Sequence, residues 1–329
     1  MKQDNKQENK NFWQQPVVVA VFAIFCTALW GSATPAIKIG YEILAVNSTD
    51  LGAKMVFAGL RFTLAGFLVL LFMGVKLKKI KLFEKRDILP YGIMGLVTTV
   101  QYICFYIGLT YTTGAKGSLF SSINGFIIVL ISPLIYKSEK LNANKIVGCI
   151  VAVIGLVLIT MDGGVQEFSG FTFMGEGMVI GCSFFHAVSF YLTKAFAKTR
   201  RAEVIAGWQL FLGGVVLLAI GSMIGGELAI TSFSGGAVIV YLALVSSLAF
   251  VFWGILITHN KISSVSMYNL FTPIFGTLLS GIVLAELIFT WQNISSLVLV
   301  SLGVWLVNTS SKIFCTKKQM EFKLLGEAK

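Results

Sequence analysis

Residues 236–258, GAVIVYLALVSSLAFVFWGILIT, contain no charged side chain over 23 consecutive positions. The hydrocarbon core of a bilayer is about 30 Å thick, and a helix needs about 20 apolar residues to cross it. Only structures that pair every backbone group internally are stable there. This stretch therefore predicts a transmembrane α-helix.

Nine further apolar runs, separated by short polar turns, predict nine more transmembrane helices. The chain thus divides into a polar N-terminal tail at 1–16, five helices within 17–161, five within 173–311, and a basic tail at 312–329. The ten predicted spans are 17–39, 51–75, 88–109, 117–136, 146–161, 173–196, 204–224, 236–258, 264–286 and 293–311.

The composition favours a membrane protein over a nucleic-acid-binding or metal-dependent one. Of the 329 residues, 56% are hydrophobic and 12% charged, so one water-soluble core could not bury the apolar surface and lipid must cover the rest. The net charge of +11 comes from Lys and Arg in the gaps between apolar runs, so we expect no nucleic-acid partner. The five cysteines and two histidines have no metal-ligand spacing, and no cofactor or metal is expected.

The distribution of Lys and Arg predicts the orientation. With a cytoplasmic amino terminus, basic clusters at 76–86, 194–201 and 312–329 all fall inside, whereas only Lys38, Lys54 and Lys116 fall outside. Positive residues collect in short cytoplasmic loops. We therefore expect a multi-pass protein of the cell inner (plasma) membrane with both termini cytoplasmic.

Matching features in the two halves indicate a duplication. Glu139 ends the fourth run and Glu286 ends the ninth, while Trp30 and His186 each stand eight residues before a lysine, Lys38 and Lys194. An odd number of helices per repeat forces the second repeat to insert upside down. The predicted fold is all-α, with ten transmembrane helices in two inverted five-helix repeats.

Several short motifs add a family resemblance. They are Ala28-Leu-Trp-Gly-Ser32 followed by Pro35 and Lys38, Leu60-Arg-Phe62, the segment 105–115, and Phe271-Thr-Pro-Ile274 leading to Leu284-Ala-Glu286. With these motifs the chain resembles the EamA-type branch of the drug/metabolite transporter superfamily over nearly everything after residue 16. The resemblance implies alternating access around a central cavity lined by helices one, three, four, six, eight and nine, with helices five and ten as scaffold, and it favours efflux.

The chain departs from that family pattern in its fourth helix. The proline expected near Phe126 is absent, and Asn124-Gly125 precedes a later Pro133. The resemblance therefore says least about the cavity wall on this side.

Polar and aromatic side chains in the middle of the runs are the candidates for substrate binding, because polar groups in hydrocarbon need a partner or a cavity. Each has an alternative as a packed core residue, and for His186 proton transfer is a further possibility because its unperturbed pKa lies close to neutral pH. The candidates are Trp30, Gln101, Tyr102, Tyr106, Asn124, His186, Trp253 and Asn269, with Tyr268 as a further candidate of the same kind.

A second group of residues is predicted to act in structure or gating. Pro35 and Pro273 should free backbone carbonyl groups in the first and ninth helices. Arg61 lies inside the second helix, where it either caps carbonyl groups and snorkels outward or contacts substrate. Lys38 and Glu286 complete the group.

Glycines are interpreted as packing surfaces. Gly177 and Gly181 form a small-xxx-small pair, and Gly207, Gly213 and Gly214 thin one side of the seventh helix. Such faces could pack within one chain or between two, so a homodimer is possible.

The expected function is transport of small organic metabolites, such as amino acids or drugs. No carboxylate lies mid-membrane, which favours neutral or zwitterionic substrates over strongly cationic ones, with an aromatic cage for a quaternary amine as the exception. Uptake or exchange of a quaternary amine or sugar is the alternative. A membrane-embedded enzyme is disfavoured because no nucleophile–base constellation is present, and a receptor without alternating access is disfavoured by the repeat.

Overall fold

A computed structural model describes residues 12–47, 49–76, 82–112, 117, 120–137, 139–160, 171–284 and 291–326, and contains no strand among them. Eleven α-helices lie within these residues. They are α1 Pro16–Ile43, α2 Leu51–Lys76, α3 Ile88–Tyr111, α4 Ile123–Ile135, α5 Ala143–Thr160, α6 Met178–Phe196, α7 Ala202–Met223, α8 Phe233–His259, α9 Ile262–Ser266, α10 Phe271–Leu284 and α11 Trp291–Gly326.

The helices account for the ten predicted crossings. Seven segments of the described chain are long and apolar enough to span a bilayer, and one of them, Ile262–Val283, combines α9, a 3₁₀ turn at Met267–Leu270 and most of α10. Three shorter apolar segments lie in α4, α5 and α11. The predicted fold class, an all-helical protein with ten crossings, is confirmed.

The contacts between helices occur in equivalent pairs. A contact between two helices recurs between the corresponding helices of the opposite halves. The α1–α8 contact has its counterpart in α6–α3, and the α2–α8 contact in α7–α3. Likewise α1 packs on α10 as α6 packs on α4. Helices α2 and α7 pack on each other, as do α5 and α11. Each helix thus meets the partner that a two-fold relation between the halves requires.

Glycines set the close approach of α2 and α7. A Cβ on Gly52 would lie 2.7 Å from the backbone of Gly226, one on Gly59 2.4 Å from Leu218, and one on Gly66 2.2 Å from Phe211. Residue numbers rise along α2 as they fall along α7, so these equivalent helices are antiparallel, as an inverted repeat predicts. The contacts lie within one chain, and the homodimer stays a prediction.

Glycines also allow α5 and α11 to approach each other closely. A Cβ on Gly148 would lie 2.8 Å from the carbonyl oxygen of Gly303. The family resemblance assigned these two helices a scaffold role, and they pack mainly on each other.

The two prolines occupy different positions in their helices. Pro35 lies inside α1, where its missing N–H leaves a carbonyl group of the preceding turn without its helical partner. Pro273 lies in the first turn of α10, where a missing N–H removes no helical hydrogen bond. The break in the ninth span is the 3₁₀ turn at Met267–Leu270.

Candidate functional site

An aromatic group joins the two halves at the centre of the bundle. Trp30 on α1 and His186 on α6 meet edge to face, with ring centroids 6.2 Å apart. Trp30 also contacts Trp253 at 5.0 Å and Phe250 at 5.7 Å, both on α8. Phe190 lies 4.5 Å from the ring of His186, one turn further along α6. Trp30 and His186, which were matched by sequence position alone, are therefore in contact.

A chain of polar side chains leads away from His186. Asn124 Nδ2 lies 2.7 Å from His186 Nδ1, and Asn269 Nδ2 donates to Asn124 Oδ1 over 3.0 Å. Thr272 Oγ1 donates to Asn269 Oδ1 over 3.1 Å. Asn124 and Asn269 come from equivalent spans of the two repeats. The polar chain thus crosses between the halves, as the Trp30–His186 contact does.

The tautomer of His186 depends on how the amide of Asn124 is oriented. With Asn124 Nδ2 facing the ring, His186 Nδ1 accepts and the proton of the neutral ring is on Nε2. That Nε2 is buried and has no hydrogen-bond partner among the described residues. His186 therefore presents an unused N–H donor beside the ring of Trp30.

Other buried polar atoms near this group also lack partners. Trp253 Nε1 and Gln101 Oε1 are shut off from solvent without a hydrogen bond. Most buried polar groups in proteins are paired, and those that are not need an explanation.

The wall on α3 continues the aromatic group. Tyr102 contacts Phe62 at 4.4 Å and Tyr106 at 6.5 Å. Tyr106, with Tyr102 packed beside it, shares an apolar cluster with Phe250 and Trp30. Gln101 is 3% exposed, and no described residue hydrogen-bonds to its side-chain oxygen.

The cavity candidates therefore differ in how directly they are joined. Trp30, Asn124, His186, Trp253 and Asn269 form one contiguous set. Tyr102 and Tyr106 join it through the α3 wall. Together these residues come from the six spans that the family resemblance named as cavity-lining.

The gating candidates are dispersed. Pro35 is buried, Lys38 is exposed at the far end of α1, and Arg61 is 6% exposed within α2. Pro273 is half-buried. Glu286 lies outside the described residues.

A buried carboxylate ties the halves together at the predicted cytoplasmic end. Glu139, 3% exposed, accepts hydrogen bonds from the backbone N–H groups of Ile262 and Ser263 over 3.0 and 3.3 Å and from the Ser263 hydroxyl. These N–H groups begin α9, where a carboxylate is favoured by the helix dipole. Lys145 Nζ donates to the same Ser263 hydroxyl over 3.0 Å.

Further contacts between the halves lie at the same end. Asn260 Nδ2 donates to the Trp13 carbonyl over 2.8 Å, and Gln14 Nε2 donates to the His259 carbonyl over 3.0 Å. Arg200 pairs with Asp87 over 2.7 Å. Contacts at the predicted cytoplasmic end therefore join the two repeats.

Sequence reasoning missed several members of these groups. Phe190 follows His186 by four residues and Phe250 precedes Trp253 by three, a helical spacing that could have added both to the site. Thr272 has no comparable pattern. Glu139 was identified only as an acid near a helix end, because its partners are 123 and 124 residues away in the chain.

Two cavities open away from this group. One of about 380 Å³ lies between α4 and α5 with an apolar lining. The other, of about 500 Å³, is lined by residues of α1, α9, α10 and α11 and of the adjoining turns, including Asn260, Tyr268 and Trp305. Of the predicted cavity residues, Tyr268 lines the second cavity, and the other eight line neither.

The sequence model of the EamA-like transporter family matches residues 17–161 and 173–309. The chain belongs to the EamA-like transporter family. This confirms the resemblance drawn from the short motifs, and the protein is a multi-pass membrane transporter.

Relatives cover most of the chain. An uncharacterized transporter of Archaeoglobus fulgidus is 26% identical over 88% of this chain and 97% of its own length. The uncharacterized transporter YvbV of Bacillus subtilis is 27% identical over 89% of this chain and 92% of its own length. A solved crystal structure with 20% identity superposes with a TM-score of 0.70, covering 88% of this chain and 98% of the other, and supports the fold alone.

Proposed function

We propose that this EamA-like transporter exports small organic metabolites, such as amino acids, related compounds or drugs, from the cytoplasm by alternating access. In this proposal the substrate binds where Trp30 meets His186. The observation that carries it is the unpaired Nε2–H of His186, which lies at the contact of two equivalent helices. A site between inverted repeats is where transporters of this architecture bind substrate.

The aromatic and polar parts of the site have separate roles in binding. Trp30, Trp253 and Phe250 offer ring faces to an apolar or cationic group. His186 offers a hydrogen-bond donor to an acceptor on the substrate. Asn124 and Asn269 hold the imidazole in the tautomer that makes this donor available.

The contacts between the repeats at the predicted cytoplasmic end support the proposed cycle. In one state Glu139 and the Asn260–Trp13 contact hold that end shut. In the other state these contacts separate and the site is exposed to the cytoplasm. Both termini are cytoplasmic in this scheme, and the protein lies in the inner membrane.

Thermal stability against a ligand panel tests the binding site. The purified protein is heated with amino acids, amines, choline, nucleosides, sugars and cationic drugs. A ligand at about 100 times its Kd adds roughly 2.7 kcal/mol to the free energy of unfolding. We expect a saturable rise in melting temperature for one class, lost in His186→Ala and kept in His259→Ala; a rise that is the same in both variants would contradict the site.

A further inference from the structure

Arg61 is a charged residue in the middle of a membrane-spanning helix. It is the eleventh of the 26 residues of α2, and it is 6% exposed. A guanidinium at this depth is costly unless a partner compensates its charge, and such residues face the bundle interior or a cavity. The identity of its partner is therefore a question about function.

No described residue compensates this charge. Arg61 Nε is buried without a hydrogen bond, and among the described residues the guanidinium forms no ion pair. The face of the Phe62 ring lies 4.4 Å from the guanidinium carbon. A ring face attracts the charge but accepts none of the five N–H groups in the plane of the guanidinium.

The ion pairs within the described ranges lie far from Arg61 along the helices. Arg86–Glu84, Arg200–Asp87 and Arg201–Glu203 are all at helix ends on the predicted cytoplasmic side. From the sequence, Arg61 could also have capped backbone carbonyl groups. Its Nε donates no such hydrogen bond to a described residue. Among the described residues, the Arg61 charge thus has no acidic partner.

The surroundings of Arg61 connect it to the proposed substrate site. The ring of Tyr102 lies 4.4 Å from that of Phe62, and both belong to the apolar cluster that includes Trp30. An aromatic wall therefore runs from the guanidinium to the Trp30–His186 contact.

We propose that Arg61 binds the carboxylate of the substrate, so that the transported compounds are organic acids or amino acids with an apolar body. A carboxylate pairs with a guanidinium through two parallel hydrogen bonds, one of which would satisfy the buried Nε of Arg61. The apolar body of the substrate lies along Tyr102 and Trp30, and an acceptor at its other end meets His186 Nε2. The inference rests on the proposed function, because it names the substrate class of the same site.

Matched acid and amide pairs test this directly. The probes are benzoate with benzamide and 3-phenylpropionate with 3-phenylpropionamide, which differ little except in the charged oxygen. Melting temperature is followed against probe concentration for the wild type, Arg61→Gln, Arg61→Lys and Arg201→Gln. Arg201 is the control because its guanidinium pairs with Glu203 at the exposed end of α7.

We expect the acid of at least one pair to bind the wild type about tenfold or more tightly than its amide, the size expected of charge-assisted hydrogen bonds. Arg61→Gln should abolish this preference, Arg61→Lys should reduce it, and Arg201→Gln should preserve it. Arg61→Lys retains the charge but not the paired geometry, so it serves if Arg61→Gln does not fold.

Two results would overturn the inference: no acid binding better than its amide in the wild type, or a preference that is undiminished in both Arg61 variants. If acids and amides stabilise the wild type alike and His186→Ala removes both effects, the proposed site stands and the carboxylate role fails. If acids bind through Arg61 but liposomes containing the protein carry no acid across the membrane, the carboxylate site stands and the proposed transport fails.

Discussion

Trp30 and His186 touch across the boundary between the two repeats, with ring centroids 6.2 Å apart. They lie on α1 and α6, the first helix of each repeat. In the proposed cycle the two halves rock against each other, and a substrate bound at this contact would touch both of them.

Asn124 is expected to stabilise the central site through both of its amide atoms. Asn124→Leu leaves His186 Nδ1 and Asn269 Nδ2 without their partners. An unsatisfied buried polar group costs about 1–3 kcal/mol, so the melting temperature should fall by several degrees. Asn308→Leu is the control, because its amide donates only to the carbonyl of Val304 in its own helix. Equal melting temperatures for the two variants would contradict the polar chain.

Gly59 is expected to tolerate no side chain. A Cβ there would lie 2.4 Å from the backbone N of Leu218, whereas a Cβ on Gly92 would have nothing within 4 Å. Gly59→Ala must push α2 and α7 apart and should sharply lower the yield of monodisperse protein. Gly92→Ala should be neutral or stabilise by roughly 0.5–1 kcal/mol, because alanine is the better helix former. Size-exclusion profiles and melting curves in detergent measure both, and a Gly59→Ala protein as stable as the wild type would refute the α2–α7 packing.

Glu139 is expected to keep the predicted cytoplasmic face closed. Glu139→Gln removes the charge at the start of α9, which contributes about 1–2 kcal/mol in partly buried geometry. The equilibrium constant for closing this face should fall by a factor of about 5–30. The measurement is the rate at which a maleimide labels Ser266→Cys, a fully buried position one turn inside that face.

The matched control for that experiment is Glu227→Gln, an exposed acid between α7 and α8. It should leave the labelling rate unchanged. A Glu139→Gln rate equal to that of the control would mean that the carboxylate does not hold the face closed.

The orientation of the chain is expected to place Lys261 inside the cell and Glu227 outside. Both side chains are exposed, one before α9 and the other after α7. In a background lacking the five native cysteines, an impermeant maleimide added to intact cells should label Glu227→Cys and not Lys261→Cys. The reverse pattern would invert the predicted topology.

The sequence was sufficient for the fold because a bilayer makes long apolar runs decisive. It also paired Trp30 with His186, since duplication preserves position along equivalent helices. Other contacts between distant parts of the chain leave no such pattern in the sequence and could not be predicted from it. Glu139 finds its partners in α9 only after folding, and Arg61 could not be assigned a role without the positions of its neighbours.

The glycines illustrate the same limit. Gly207 and Gly214 do face α2 closely, as their spacing indicated. Gly181 does not fit the small-xxx-small interpretation, because a Cβ there would meet only Cys104 Sγ, at an ordinary 3.8 Å. Spacing identifies which glycines share a helix face, but not whether a neighbouring helix approaches that face.

The most direct test of the central claim is substrate flux into liposomes containing the purified protein, measured with the compound class that the stability panel identifies. Trp30→Ala and His186→Ala should be folded and should each reduce flux at least about tenfold, equivalent to about 1.4 kcal/mol. Trp305→Ala, at a position 61% exposed on α11, and His259→Ala, at the end of α8, should transport at the wild-type rate. Wild-type flux in both Trp30→Ala and His186→Ala would contradict a substrate site between the two repeats.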